Sequence, residues 1–173
     1  FDHQDSYDVA SVPPPESLSA VWEKYGHLAD GGRASWVLNR PFDFRYVDDD
    51  ILLNVDEPIG AQRVWLRSRD GLDDSSALHS AALAFASDYL LVEPVLRRHG
   101  VPWATPGLRS ISLDHAMWFH RPFRADDWLL YVLDTPIATG GRGLTHGRFY
   151  DREGALVASV SQESIVRVPG APD

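Results

Sequence analysis

A chain of 173 residues, 44% hydrophobic and 24% charged, can bury about two thirds of its unfolded surface, which predicts one globular domain rather than a disordered segment. Its formal charge of -9, from 16 basic against 25 acidic side chains, disfavours non-specific binding to nucleic acid or to an anionic membrane, so an anionic substrate must find a local cluster of positive charge. Cysteine is absent, which removes disulfides, thiolate nucleophiles and cysteine-type zinc sites.

The chain opens Phe1-Asp2-His3-Gln4-Asp5, without an initiator Met, a basic n-region or an apolar h-region. That is not the pattern of a signal peptide and is expected of the interior of a longer protein. The run to Pro13-Pro14-Pro15 predicts an extended linker, because consecutive prolines fix φ and remove backbone donors. From Glu16 to Tyr25, Leu18, Val21, Trp22 and Tyr25 fall at helical spacing before Gly26, which predicts a short amphipathic helix.

Phe42, Phe44 and Tyr46 alternate with polar neighbours, and Val64, Leu66 and Ser68 alternate with Trp65, Arg67 and Arg69; both are strand patterns. Between them Asp48-Asp49-Asp50 reads as a charged loop tip rather than a cation site. Asp73 or Asp74 is placed to cap a helix starting near Ser75, whose pattern runs through Leu78, Ala81, Ala82, Phe85 and Tyr89 until Pro94 limits it. Its middle, Ala81 to Ala86, is apolar around the whole circumference, which predicts a helix buried on most sides. The most apolar window, Ala77 to Val92, is interrupted by His79 and Asp88 and falls short of the roughly 18 uninterrupted apolar residues of a membrane span, so a soluble protein is expected.

After Gly100, strand-like material runs from Ser110 to His120, Trp128 to Ala138, Leu144 to Tyr150 and Ala155 to Val168. Asp151-Arg152-Glu153-Gly154 suits the closure of an antiparallel hairpin. The fold class is α+β: one long helix wrapped by an antiparallel sheet. The expected division is 1–40 for a linker and short helix, 41–168 for the domain, and 169–173 for a frayed tail.

Two polar residues interrupt apolar faces. Asp88 follows Phe85 by three positions and shares a helix face with Ala81 and Ala84; it is either a paired, buried carboxylate or the residue at which the helix emerges into solvent. Gln162 lies in phase with Leu156, Ala158 and Val160, so its amide faces the apolar side, to satisfy a backbone group or to hold a water or an oxyanion. Alternation from Ser110 would turn Ile111, Leu113 and His115 inward and Ser112 outward, unless a bulge shifts the phase. His115 and His120 face opposite sides of a regular strand, and they and His79 read as structural rather than metal-binding. Gly140-Gly141-Arg142-Gly143 reads as a strand bend or bulge rather than a phosphate cradle. A G-x-S-x-G elbow, an H-E-x-x-H helix and a cysteine nucleophile are all absent, so hydrolysis by this chain would use activated water directly.

The stretch from Leu78-His79 to Ala84-Phe85-Ala86-Ser87-Asp88, followed by Ser112-Leu113-Asp114-His115-Ala116-Met117-Trp118-Phe119-His120-Arg121-Pro122-Phe123, resembles the second half of a type II (TesB-like) acyl-CoA thioesterase. Trp128-Leu129-Leu130-Tyr131, Arg142-Gly143 and Leu156 to Glu163 match the same family in order. The resemblance implies a hot-dog fold, half of a double hot-dog, and hydrolysis of fatty acyl-CoA with no cofactor and no metal. By motif position it implies Asp88, Ser112 and Gln162 as catalytic residues that hold the attacking water, with Ser112 where Thr is also found. Phe1-Asp2-His3-Gln4 resembles the end of a first hot-dog domain and the prolines resemble the interdomain linker. The expected partners are therefore acyl-CoA, an N-terminal hot-dog domain in the same or a separate chain, and further copies in a homo-oligomer, with the cytoplasm as location. Arg97, Arg98 and Arg142 are candidates for the CoA phosphates. Enoyl-thioester hydration or dehydration, and a non-catalytic acyl-thioester-binding role, are the alternatives.

Overall fold

A computed structural model describes residues 1–4, 7–28 and 40–170, so the last three residues of the expected tail lie outside it. The alternating aromatic run gives strand β1 (Phe42–Tyr46), followed by β2 (Ala61–Ser68). Beyond Gly100 come β3 (Arg109–Ser112), β4 (Ala116–Phe119), β5 (Leu129–Thr139), β6 (Arg142–Tyr150) and β7 (Leu156–Arg167). All share one antiparallel sheet in the order β1-β2-β5-β6-β7, with β3 and β4 lying in succession along the outer edge of β7. The Asp151 to Gly154 hairpin closes as expected, with Asp151 N–H donating to the Ala155 carbonyl at 3.0 Å. Gly140 and Gly141, expected at a strand bend or bulge, instead make the two-residue turn between β5 and β6; their φ of 56° and 69° is the left-handed pair that such a hairpin turn requires.

Helix α1 (Val21–Tyr25) is shorter than its periodicity predicts. The Glu23 carboxylate accepts the Ala20 N–H at 2.9 Å and starts the helix there, while Pro15–Ser17 forms a separate 3-10 turn. The central helix α2 (Ser76–Ser87) is capped by Ser75, whose hydroxyl accepts from the Leu78 N–H; Asp74 pairs with Arg124 instead. It ends well before Pro94, with Asp88 as its C-cap. The Tyr131 hydroxyl donates to the Ser87 carbonyl at 3.1 Å and satisfies one of the groups a helix end leaves open. Pro94 falls in the first turn of α3 (Glu93–Arg98), where a missing N–H costs nothing.

Leu83 and Ala86 of α2 are fully buried against the concave side of the sheet, among Val64, Leu66, Tyr131 and Phe149. Burial of a side chain such as Leu83 contributes about 1.5–3 kcal/mol. The expectation of a helix covered all round does not hold among the described residues, because Leu78 and Phe85 on the far side are 39% and 60% exposed. The convex side of the sheet carries a second core, in which Val9 and Val12 cover Trp65, Trp128, Leu130 and Tyr150. Trp65 Nε1 donates to the Pro13 carbonyl at 2.9 Å, so the proline-rich run lies on the sheet. Coverage on both sides explains why Val64, Trp65 and Leu66 are buried in succession rather than in alternation.

Candidate active site

Gln162 lies opposite Thr145 in the middle of β7, almost fully buried on the same side as Ala158 and Val160. Ser112 ends β3 opposite Ser164, and β4 resumes four residues later at Ala116, opposite Ser161, three residues back on β7. The edge thus carries one extra residue, a β-bulge. Leu113 N–H donates to the Glu163 carbonyl at 2.9 Å, and the Asp114 carboxylate accepts the Glu163 N–H at 2.7 Å. The bulge settles which way this edge turns: Ile111 and Leu113 are exposed, and Ser112 faces Gln162 and the end of α2.

Asp88, Ser112 and Gln162 are brought together. Gln162 Nε2 donates to Ser112 Oγ at 2.9 Å, and Ser112 Oγ donates to Asp88 Oδ1 at 3.3 Å. An amide nitrogen can only donate and a hydroxyl has one proton, so the chain of donors runs from Gln162 through Ser112 to the carboxylate. Asp88 emerges at the helix end and is exposed, not enclosed. Beneath it the Tyr131 hydroxyl is held well above its ordinary pKa by burial and then by the Asp88 charge.

The three side chains line a cavity of about 710 Å³ whose other walls include Leu52, Leu53, Val92, Trp103 and Leu108. They also border a second depression of about 410 Å³, walled by Phe85, Leu113 and His115. Of the three arginines expected near phosphate, Arg97 is a correction: it is 2% exposed, and its guanidinium donates to the Glu57 and Asp49 carbonyls, each at 3.1 Å. A buried cation spent on backbone carbonyls is not free to meet a phosphate. Arg98 is exposed, and Arg142 lies 3.5 Å from Glu163; neither lines the larger cavity, whereas Arg109 does.

Two neighbours of the site escape sequence reasoning. His115 Nδ1 is 2.7 Å from Gln162 Oε1, and its Nε2 is 3.1 Å from Ser87 Oγ; a regular strand would have put it on the face opposite Ser112. Glu93, hidden before a proline, is 2% exposed and accepts from Gln62 at 2.8 Å, from Trp103 Nε1 at 2.9 Å and from the Tyr46 hydroxyl at 3.1 Å. Burial pushes its carboxyl up to about 6 against the pull of these donors and of Arg40. Through Trp103 this buried acid fixes one wall of the larger cavity. Among the described residues no three His, Asp or Glu side chains gather to hold a metal, and no helix is long and apolar enough to cross a membrane.

Residues 8–166 match the family model described as the acyl-CoA thioesterase C-terminal domain. Human acyl-coenzyme A thioesterase 8 is 34% identical over 178 residues, covering 95% of this chain and 54% of the relative. The crystal structure of the acyl-CoA thioesterase II TesB2 from Mycobacterium marinum is similar with a TM-score of 0.73 and 38% identity, covering 98% of this chain and 59% of that one. A conserved protein of unknown function with a hot-dog fold from Alicyclobacillus acidocaldarius, 16% identical, aligns with a TM-score of 0.70 over 98% of this chain and 58% of that one, a likeness of fold. The chain spans about half the length of the relatives it matches. It has the hot-dog fold and belongs to the acyl-CoA thioesterase C-terminal domain family.

Proposed function

We propose that this chain is the catalytic half of a double hot-dog acyl-CoA thioesterase, which hydrolyses fatty acyl-CoA to the free fatty acid and CoA. The observation that carries this reading is the run of hydrogen bonds from Gln162 through Ser112 to Asp88, opening on an apolar cavity of about 710 Å³. Ser112 engages Asp88 Oδ1 and leaves Oδ2 to act as general base toward a water. The Asp88 carboxylate takes one proton from that water, and the hydroxide forms a C–O bond at the thioester carbonyl. The tetrahedral oxyanion collapses with cleavage of the C–S bond, and the proton on Asp88 passes to the departing CoA sulfur. The apolar walls accept the acyl chain. Arg109 at the rim, with the exposed Arg98 and Arg142, supplies positive charge for CoA phosphates on a chain whose formal charge is -9.

Phe85, Leu113, Trp118 and Phe119 are between 45% and 60% exposed, and among the described residues β3 and β4 pair only with β7. An open edge beside exposed aromatic side chains favours a partner, the N-terminal hot-dog domain in the same or a separate chain, within a homo-oligomer. CoA esters are intracellular metabolites, so the reading carries a cytoplasmic location with it. The test is the full-length protein with saturated and enoyl acyl-CoA, followed by free thiol and by enoyl absorbance. Thiol release from both supports hydrolysis. Loss of enoyl absorbance without thiol would replace it with hydration, and binding without either would leave an acyl-thioester-binding partner.

A further inference from the structure

We infer that His115 is a positioning residue for the hydrolysis: it holds the Gln162 amide in the one orientation that lets Ser112 give its proton to Asp88. The inference rests on the roles proposed above for Asp88, Ser112 and Gln162. The two ends of a glutamine amide have nearly the same shape and opposite hydrogen-bonding character. With Nε2 toward Ser112, at 2.9 Å, the serine accepts from Gln162 and keeps its proton for Asp88 Oδ1. With the amide flipped, Oε1 would draw that proton and Asp88 would lose its donor.

His115 decides between the two. Its Nδ1 lies 2.7 Å from Gln162 Oε1, which can only accept, so Nδ1 carries a proton. Its Nε2 lies 3.1 Å from Ser87 Oγ, which also lies 2.8 Å from the Ala84 carbonyl; the serine has one proton, and with the ring's proton on Nδ1 that proton is given to Nε2. The imidazole is thereby tied to the last turn of α2, one residue before Asp88. Asp88, Ser112, Gln162, His115 and Ser87 form a closed circuit that begins and ends on the same helix terminus. The bulge makes it possible, because residues three apart in a regular strand face opposite sides, and the extra residue turns both Ser112 and His115 toward Gln162.

The test uses the full-length protein and a long-chain acyl-CoA. His115→Phe keeps the ring and removes both nitrogens; kcat should fall about 10- to 100-fold, as misplacement of a catalytic group does, with KM held within about threefold. His115→Asn keeps an N–H near the Nδ1 position and should restore kcat to within about threefold of wild type, since a donor to Oε1 is what orients the amide. Wild-type kcat in His115→Phe, or equal losses in the two variants, would overturn the inference. Long-range 1H–15N NMR of the unmodified protein decides independently of either variant's folding: His115 Nδ1 should be protonated, and a bare Nδ1 would overturn the assignment. Asp88→Asn separates the two levels. Full turnover in that variant would remove the catalytic reading and this inference with it, whereas an inactive Asp88→Asn beside a fully active His115→Phe would remove the inference alone.

Discussion

Replacing Glu93 by Gln should change how stability depends on pH. The Glu93 carboxyl is 2% exposed and is pushed from 4.5 up to about 6, by burial first, against hydrogen bonds from Trp103, Gln62 and Tyr46 and the charge of Arg40. A gap of about 1.5 pH units corresponds to about 2 kcal/mol. The folded state binds this proton more tightly than the unfolded chain does. Between 4.5 and about 6 it therefore holds more protons, and stability falls as pH rises. The contribution is full below the unfolded value and gone above the folded one. Glutamine has the same shape and does not titrate. Urea unfolding of both proteins from about pH 4 to about pH 7 should show the wild type losing about 2 kcal/mol relative to Glu93→Gln across this window. A flat difference, or a wild type that gains relative stability with pH, would refute the reasoning.

A Cβ on Gly147 would stand 2.4 Å from Tyr131 Cε2 and 2.9 Å from Val160 Cγ1, and Tyr131 is stacked on Phe149 at 3.9 Å with no room to withdraw. Gly147→Ala should therefore destabilise by about 1–3 kcal/mol in chemical denaturation, and unchanged stability would contradict the packing described. Ser112→Ala removes the hydroxyl between Gln162 and Asp88 and should lower kcat about 10- to 100-fold, whereas Ser112→Thr keeps it and should retain most activity. Thiol release measures both, and an alanine variant with wild-type kcat would take Ser112 out of the chain of donors.

What could be read without coordinates follows from how local each signal is. Strand β1 is written in side-chain alternation and the Asp151 to Gly154 hairpin in turn chemistry, each over a few neighbouring residues. Gln162 is legible for the same reason, as a polar side chain in phase with apolar ones. Ser112 is reached only through family resemblance, because the residue that turns it inward is the extra one in the bulge, and a bulge has no side-chain period of its own. Unbroken alternation puts His115 on the face opposite Ser112, and only the extra residue brings both to Gln162. Glu93 and Arg97 depend on distant partners, Gln62 and Tyr46 for the acid, Glu57 and Asp49 for the base. Spacing along the chain cannot reveal those pairings. The apolar circumference of α2 is a different case, because its outer half is uncovered here and the pattern reports a surface that wants a partner.

Asp88 is exposed at the end of α2, so Asp88→Asn should leave stability within about 0.5 kcal/mol and can be judged on turnover alone. In the full-length protein with a long-chain acyl-CoA, kcat should fall about 10²- to 10⁴-fold, the usual loss of a general base, with folding unchanged. Turnover near the wild-type value in a folded Asp88→Asn protein would contradict the assignment of the base.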